Sequence, residues 1–148
     1  MPRRPGTLAL ALLVLLMLAS VTGGCAPKGP SYVDSGSSYS KATLGGLFNK
    51  ADIAAYSTRP VADSPALRHD ALTELRRRGG NASKASDLLT ATFGATTRGV
   101  PVYVEWANVD GQSALVFIEA IGPTGGKLAT KRLWALSESG DVLFAATR

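Results

Sequence analysis

Residues 100–121 read VPVYVEWANVDGQSALVFIEAI, and this stretch decides the fold. Val102, Val104 and Trp106 alternate with Tyr103, Glu105 and Ala107, the period-two pattern of a strand. Asn108-Val109-Asp110-Gly111 follows, and Asp-Gly is a tight-hairpin signal because glycine accepts a positive φ. The return run, Ala114 to Ile121, is apolar on both faces: Leu115, Phe117 and Ile121 on one, Val116 and Ile118 on the other. A strand of that composition belongs in the middle of a sheet, covered on both sides.

Downstream, Gly122-Pro123-Thr124-Gly125-Gly126 makes a loop, and alternation resumes from Leu128 to Leu136. Ser137-Glu138-Ser139-Gly140-Asp141 turns the chain into a last strand, Val142 to Thr147. Four strands joined by short turns predict an antiparallel meander. Pro101, which cannot donate to a ladder, fits an edge strand.

Upstream the period changes to that of a helix. Ser64-Pro65 opens one, with Ser64 as N-cap and Pro65 in the first turn. Leu67, Ala71, Leu72 and Leu75 share a face, Arg76–Arg78 fill the last turn, and Gly79-Gly80 stops it. A second helix, capped by Ser83, carries Ala85, Leu88, Leu89 and Phe93 on one face and ends at Gly94. Before them, Leu44, Leu47, Phe48 and Ile53 suggest one or two short amphipathic turns. Helices segregated from strands predict an α+β fold: a two-helix hairpin packed on a four-stranded antiparallel meander sheet through Leu67, Leu72, Leu75, Leu88, Leu89 and Phe93. In layout alone, this is similar to small two-layer secreted modules such as the beta-lactamase inhibitory protein repeat and outer-membrane assembly lipoproteins of the small-protein-A type.

The N-terminal residues speak of destination. Arg3 and Arg4 precede an unbroken apolar run from Leu8 to Ala19, followed by Ser20, Val21, Thr22, Gly23, Gly24 and Cys25. A basic start, an apolar core and small residues before a boundary are the parts of a secretory signal. The run is shorter than the roughly 20 apolar residues that span a bilayer as a helix. Val21-Thr22-Gly23-Gly24-Cys25 resembles the lipobox of bacterial lipoproteins, with Thr22 where an aliphatic residue is usual. The resemblance implies diacylglycerol on the Cys25 thiol, cleavage just before it, and anchoring at the cell membrane on the extracytoplasmic side. Two or three acyl chains, at about 0.8 kcal/mol per buried CH₂, hold a protein stably where one does not. The expected organisation is a signal peptide over 1–24, a flexible Pro/Gly/Ser-rich tether over 25–41, and one small domain over 42–148.

Composition narrows the chemistry. The 148 residues include one Cys and one His, which excludes an internal disulfide framework, a Cys-based zinc site and a multi-His metal site. The formal charge is +5, but Arg3 and Arg4 fall in the signal, so 14 basic and 11 acidic residues leave +3 beyond it. No basic cluster interleaved with aromatics marks a nucleic-acid partner. There is no G-x-S-x-G, H-E-x-x-H, P-loop or dinucleotide fingerprint. Gly122–Lys127 lacks the P-loop spacing, since Leu128 stands at the Ser/Thr position and the loop joins two strands. No catalytic, cofactor or metal residue is therefore expected, and Cys25 is the one site residue.

Some residues carry a second possible role. Glu105 and Glu119 sit on neighbouring strands, where facing carboxylates serve glycosidases, although pairing with Lys131 or Arg132 is the commoner use. Trp106, Trp134 and Tyr103 suit either a sugar- or peptide-binding face or strand packing. Arg76–Arg78 suit either anionic headgroups or a solvated helix end. His69 and Asp70, adjacent on a helix, point about 100° apart and read as surface. The expected function is a non-enzymatic, membrane-anchored interaction or accessory module of the envelope, with an envelope protein as a possible partner. The alternative is a small-ligand or lipid carrier with a pocket between helices and sheet, lined by Ala114, Val116, Ile118 and Leu89.

Overall fold

A computed structural model of the chain describes residues 29–94 and 98–148. The strands run β1 (Ser31–Tyr39), β2 (Val100–Val109), β3 (Gln112–Ile121), β4 (Thr130–Ser137) and β5 (Val142–Thr147), in that spatial order. Helices α1 (Ser64–Arg78) and α2 (Gly80–Phe93) are joined through Gly79 alone. The architecture is α+β, as the periodicities predict. β2 to β5 form the expected meander, and Asp110-Gly111, both at positive φ, close the first hairpin.

The sheet is nevertheless five-stranded and mixed, not a four-stranded meander. β1 pairs in parallel with β2, Ser31 opposite Tyr103 and Tyr39 opposite Val109. It lies within the segment expected to be a flexible tether. Composition misled here because an edge strand needs little apolar surface: Tyr32, Val33 and Tyr39 pack against the apolar layers, and Ser35 and Tyr39 donate to Glu105. β2 is consequently an interior strand. Pro101 is accommodated because the β1 pairing begins only at Tyr103, and because the β2–β3 register slips between Pro101 and Tyr103.

β3 lies in the centre, and its side chains from Ala114 to Ala120 are buried. Leu115 and Phe117 face α1 and α2, packing with Val104, Leu136, Leu72, Leu75, Ala85 and Leu89. Phe93 closes that layer edge-on against Phe117, 5.6 Å between ring centres. Val116 and Ile118 alternate onto the opposite face with Leu133 and Ala135. That face is covered by the 3-10 segment Leu44–Lys50, through Leu44, Leu47 and Phe48. Leu67, expected on the helix-side layer, packs with this second cluster instead. At about 25 cal/mol per Å² of apolar surface removed from water, two such layers hold the sheet without disulfides.

Ser64 does not act as the N-cap. The short 3-10 turn Val61–Asp63 runs directly into α1, so Ser64 is already helical, and its buried hydroxyl has no partner. The signal over 1–24 and Cys25 lie outside the described residues.

Candidate functional site

The sheet has two unlike ends, and they organise the candidate site. At the end where β2 turns into β3, a groove of about 460 Å³ opens between α2, β1, β2 and the β4–β5 turn. Trp106 forms part of its lining, with Asp34, Asn81, Lys84, Asn108 and Glu138 around it. The Trp106 indole N–H donates to the Asn81 carbonyl at 2.9 Å, and the Asn81 amide donates to Asp34 Oδ2 at 2.8 Å. Ser113 donates its hydroxyl to Glu138 Oε1 at 2.7 Å. These bonds fix the walls before anything enters. An aromatic ring among amides, two carboxylates and one ammonium suits a polar, extended ligand such as a peptide segment or a glycan. Periodicity flagged Trp106 as a candidate binding aromatic. Asp34, Asn81 and Lys84 went unnoticed, because they reach the groove from a strand and a helix distant in sequence.

The two glutamates of interest do not converge. Glu105 stands opposite Val116, whereas Glu119 stands opposite Arg132, an odd number of residues further along β3 and so on the other face of the sheet. Both are wholly or almost wholly buried, at 0% and 1% exposure. Convergence in one cleft, which carboxylate-pair chemistry requires, is ruled out by this register.

Glu105 is caged by hydroxyls. Ser35 donates at 2.6 Å and Tyr39 at 3.1 Å to Oε1, while Tyr103 donates at 2.6 Å to Oε2. Lys50 reaches the Tyr39 hydroxyl at 3.2 Å. Burial pushes the Glu105 carboxyl up, but the three donors and the nearby Lys50 charge outweigh it and hold the pKa below the ordinary value. Tyr103 is pushed the other way, by burial and by its bond to that carboxylate. The cage sits at a bulge in β1. Between Asp34 and Ser38 the strand advances four residues while β2 advances two, with Gly36 at φ +61° in the bulge.

Glu119 is balanced by guanidinium groups. Arg132 Nη2 lies 2.6 Å from Oε1, which also accepts the Trp134 indole N–H at 2.8 Å. Arg68, itself buried, lies 3.9 Å from Oε2 and donates to the carbonyls of Gly99 and Leu89. Burial pulls the Arg68 pKa down, and Glu119 opposes that pull. A side chain at Gly99 would run into the Glu119 carboxylate and push it off its arginine partners. The Arg132 pairing was expected from strand chemistry. Arg68 was not, because one arginine on an apolar helix face has no partner visible in sequence.

The remaining residues fall apart spatially. His69 and Asp70 are exposed. Arg76 pairs with Asp87, and Arg77 and Arg78 both pair with Glu74. Ala114, Val116, Ile118 and Leu89, offered as the lining of a carrier pocket, are each fully excluded from solvent. They are divided between the two faces: Leu89 packs in the helix-side layer, the other three in the opposite one. Among the described residues no group of three or more His, Cys, Asp or Glu side chains is placed to hold a metal ion, and no helix is long and apolar enough to cross a membrane. No protein family, curated protein or solved structure matches the chain.

Proposed function

We propose that this chain is a lipid-anchored lipoprotein of the bacterial cell envelope, held on the extracytoplasmic side through Cys25, and that it works as a non-enzymatic interaction module. The observation that carries the reading is the succession of Arg3-Arg4, the apolar run Leu8–Ala19 and Val21–Cys25, set directly before a folded domain. The groove around Trp106 is the surface such a module would offer to a partner. It is at the end of the sheet opposite the start of β1, so an anchored domain presents it away from the bilayer.

Metabolic labelling with a tagged fatty acid, on wild type and Cys25→Ala, followed by membrane fractionation, tests the anchor. The expected result is a labelled, membrane-bound wild type and an unlabelled, released variant. Unlabelled, released wild type would sink the reading. A photo-crosslinker at Lys84 then tests the groove: envelope protein or glycan captured there, and lost in Trp106→Ala, supports the module.

A further inference from the structure

We propose that the end of the sheet from which the chain leaves toward Cys25 is a docking surface for an anionic lipid bilayer. The proposal rests on the lipid-anchor reading for its geometry, while its chemistry stands on the folded domain.

β1 begins at Ser31, six residues past Cys25. Whatever their conformation, six residues reach at most about 20 Å. The strand at 31–39 therefore turns what composition offers as a long spacer into a short leash, and the end of the domain bearing Ser31 is kept near the lipid headgroups.

That end is basic. Ser31 lies in register with Tyr103, Ile118, Leu133 and Ala146 across the sheet. The next rows outward bring Arg132, then Lys131 paired through its backbone with Arg148. The β3–β4 loop adds Lys127, and Arg98 enters β2 from the same side, reaching Thr124 in that loop. The one carboxylate in these rows, Glu119, is buried and already balanced by Arg68 and Arg132, and Asp63, beside the Lys127 loop, is paired with Arg59. Among the described residues no carboxylate pairs with Lys127, Arg98 or Arg148. The opposite end carries Asp110, Glu138 and Asp141 at its turns, with Lys84 and Asp34 in the groove between them.

α1 adds to the same corner. The stem of Glu74 lies against Gly29, the last described residue before the leash. The Glu74 carboxylate holds Arg77 at 3.0 Å and Arg78 at 3.5 Å, with the Arg77 side chain 76% exposed. Two arginines are thus fastened beside the point where the chain departs. Surface charges act on a membrane only within about a Debye length, roughly 8 Å at physiological salt. A short leash at the basic end brings them into that range, and the acidic end points away.

Amine acylation read by mass spectrometry tests this on the full-length lipidated chain. The protein is placed in vesicles of phosphatidylcholine alone, or of phosphatidylcholine with phosphatidylglycerol. Lys127 reports the basic end and Lys84, in the groove, the other. On anionic vesicles Lys127 should be acylated several-fold more slowly than on neutral ones, with Lys84 unchanged, and added salt should erase the difference. Arg77→Gln should lower the docked-to-undocked ratio about fivefold while moving the thermal midpoint by no more than about 3 °C. Equal acylation of Lys127 on both vesicles, or equal protection of Lys84, would overturn the docking. Failure of the anchor looks different: the chain would not float with neutral vesicles in high salt. Lys127 protection on anionic vesicles at low salt would then still uphold the basic surface, and its absence would reject it.

Discussion

Glu105 and Glu119 sit on adjacent strands at the same depth, and the protein neutralises them by opposite means. Glu119 is met by charge: two guanidinium groups and an indole surround it. Glu105 is met by dipoles, three hydroxyls with an ammonium one step removed. The difference follows from what each face offers. On the helix side, α1 can reach in with a long arginine from across the layer. On the other side the neighbour on β3 is Val116, which donates nothing, so the donors come from β1 and from Tyr103 on the same strand. One carboxylate therefore ties a helix to the sheet, and the other ties on an edge strand.

The comparison can be broken most forcefully at Glu119. Glu119→Ala leaves Arg68 buried with its charge uncompensated and should cost about 3–5 kcal/mol, read as a lowered denaturation midpoint in urea. Glu105→Gln should cost less, about 1.5–3 kcal/mol, the worth of hydrogen bonds to a charged acceptor. A Glu105 variant that destabilised more than its Glu119 counterpart would reverse the contrast.

The pH response sharpens it further. The Glu105 pKa is depressed in the folded protein, so its stabilisation is complete above the ordinary carboxylate value of 4.5 and is lost as pH falls through the folded value. Glu105→Gln should flatten that acid limb in pH-dependent thermal melts, and an unchanged limb would contradict the cage. Tyr103→Phe removes one donor to that charged acceptor and should cost about 1.5 kcal/mol, with the acid limb shifted toward higher pH. The smallest effect belongs to the exposed Arg77. Arg77→Gln should change stability by about 0.5 kcal/mol or less, because its pair with Glu74 is solvated.

The sequence made the meander and helices legible because both have a period and their apolar faces are long. Leu115, Phe117, Val116 and Ile118 could only be central. β1 was illegible for the opposite reason: Ser31–Tyr39 contains one aliphatic residue, Val33. A clue was nevertheless present. Glu105 interrupts an apolar strand, and a buried carboxylate demands donors. Ser35, Ser37 and Tyr39, spaced by two, are a row of hydroxyls of the kind that can answer it. The groove was less legible still, since Asp34, Asn81 and Glu138 come from three separate elements. The Arg68–Glu119 link spans the layer between α1 and β3, and no local pattern announces it.

The parallel placement of β1 also sets an order of assembly. Ser35 and Glu105 are 70 positions apart, whereas β2 and β3 meet across a two-residue turn. Contacts that close long stretches of chain form late, because the entropy of closure is spent before any contact returns it. The strand nearest the start of the domain is thus the one to be seated last, after β2 exists to receive it. Until then β2 has an open edge and Glu105 lacks the Ser35 and Tyr39 donors. Refolding should accordingly show the meander gaining protection from hydrogen exchange before Ser31–Tyr39, with the hydroxyl cage closing as the final event.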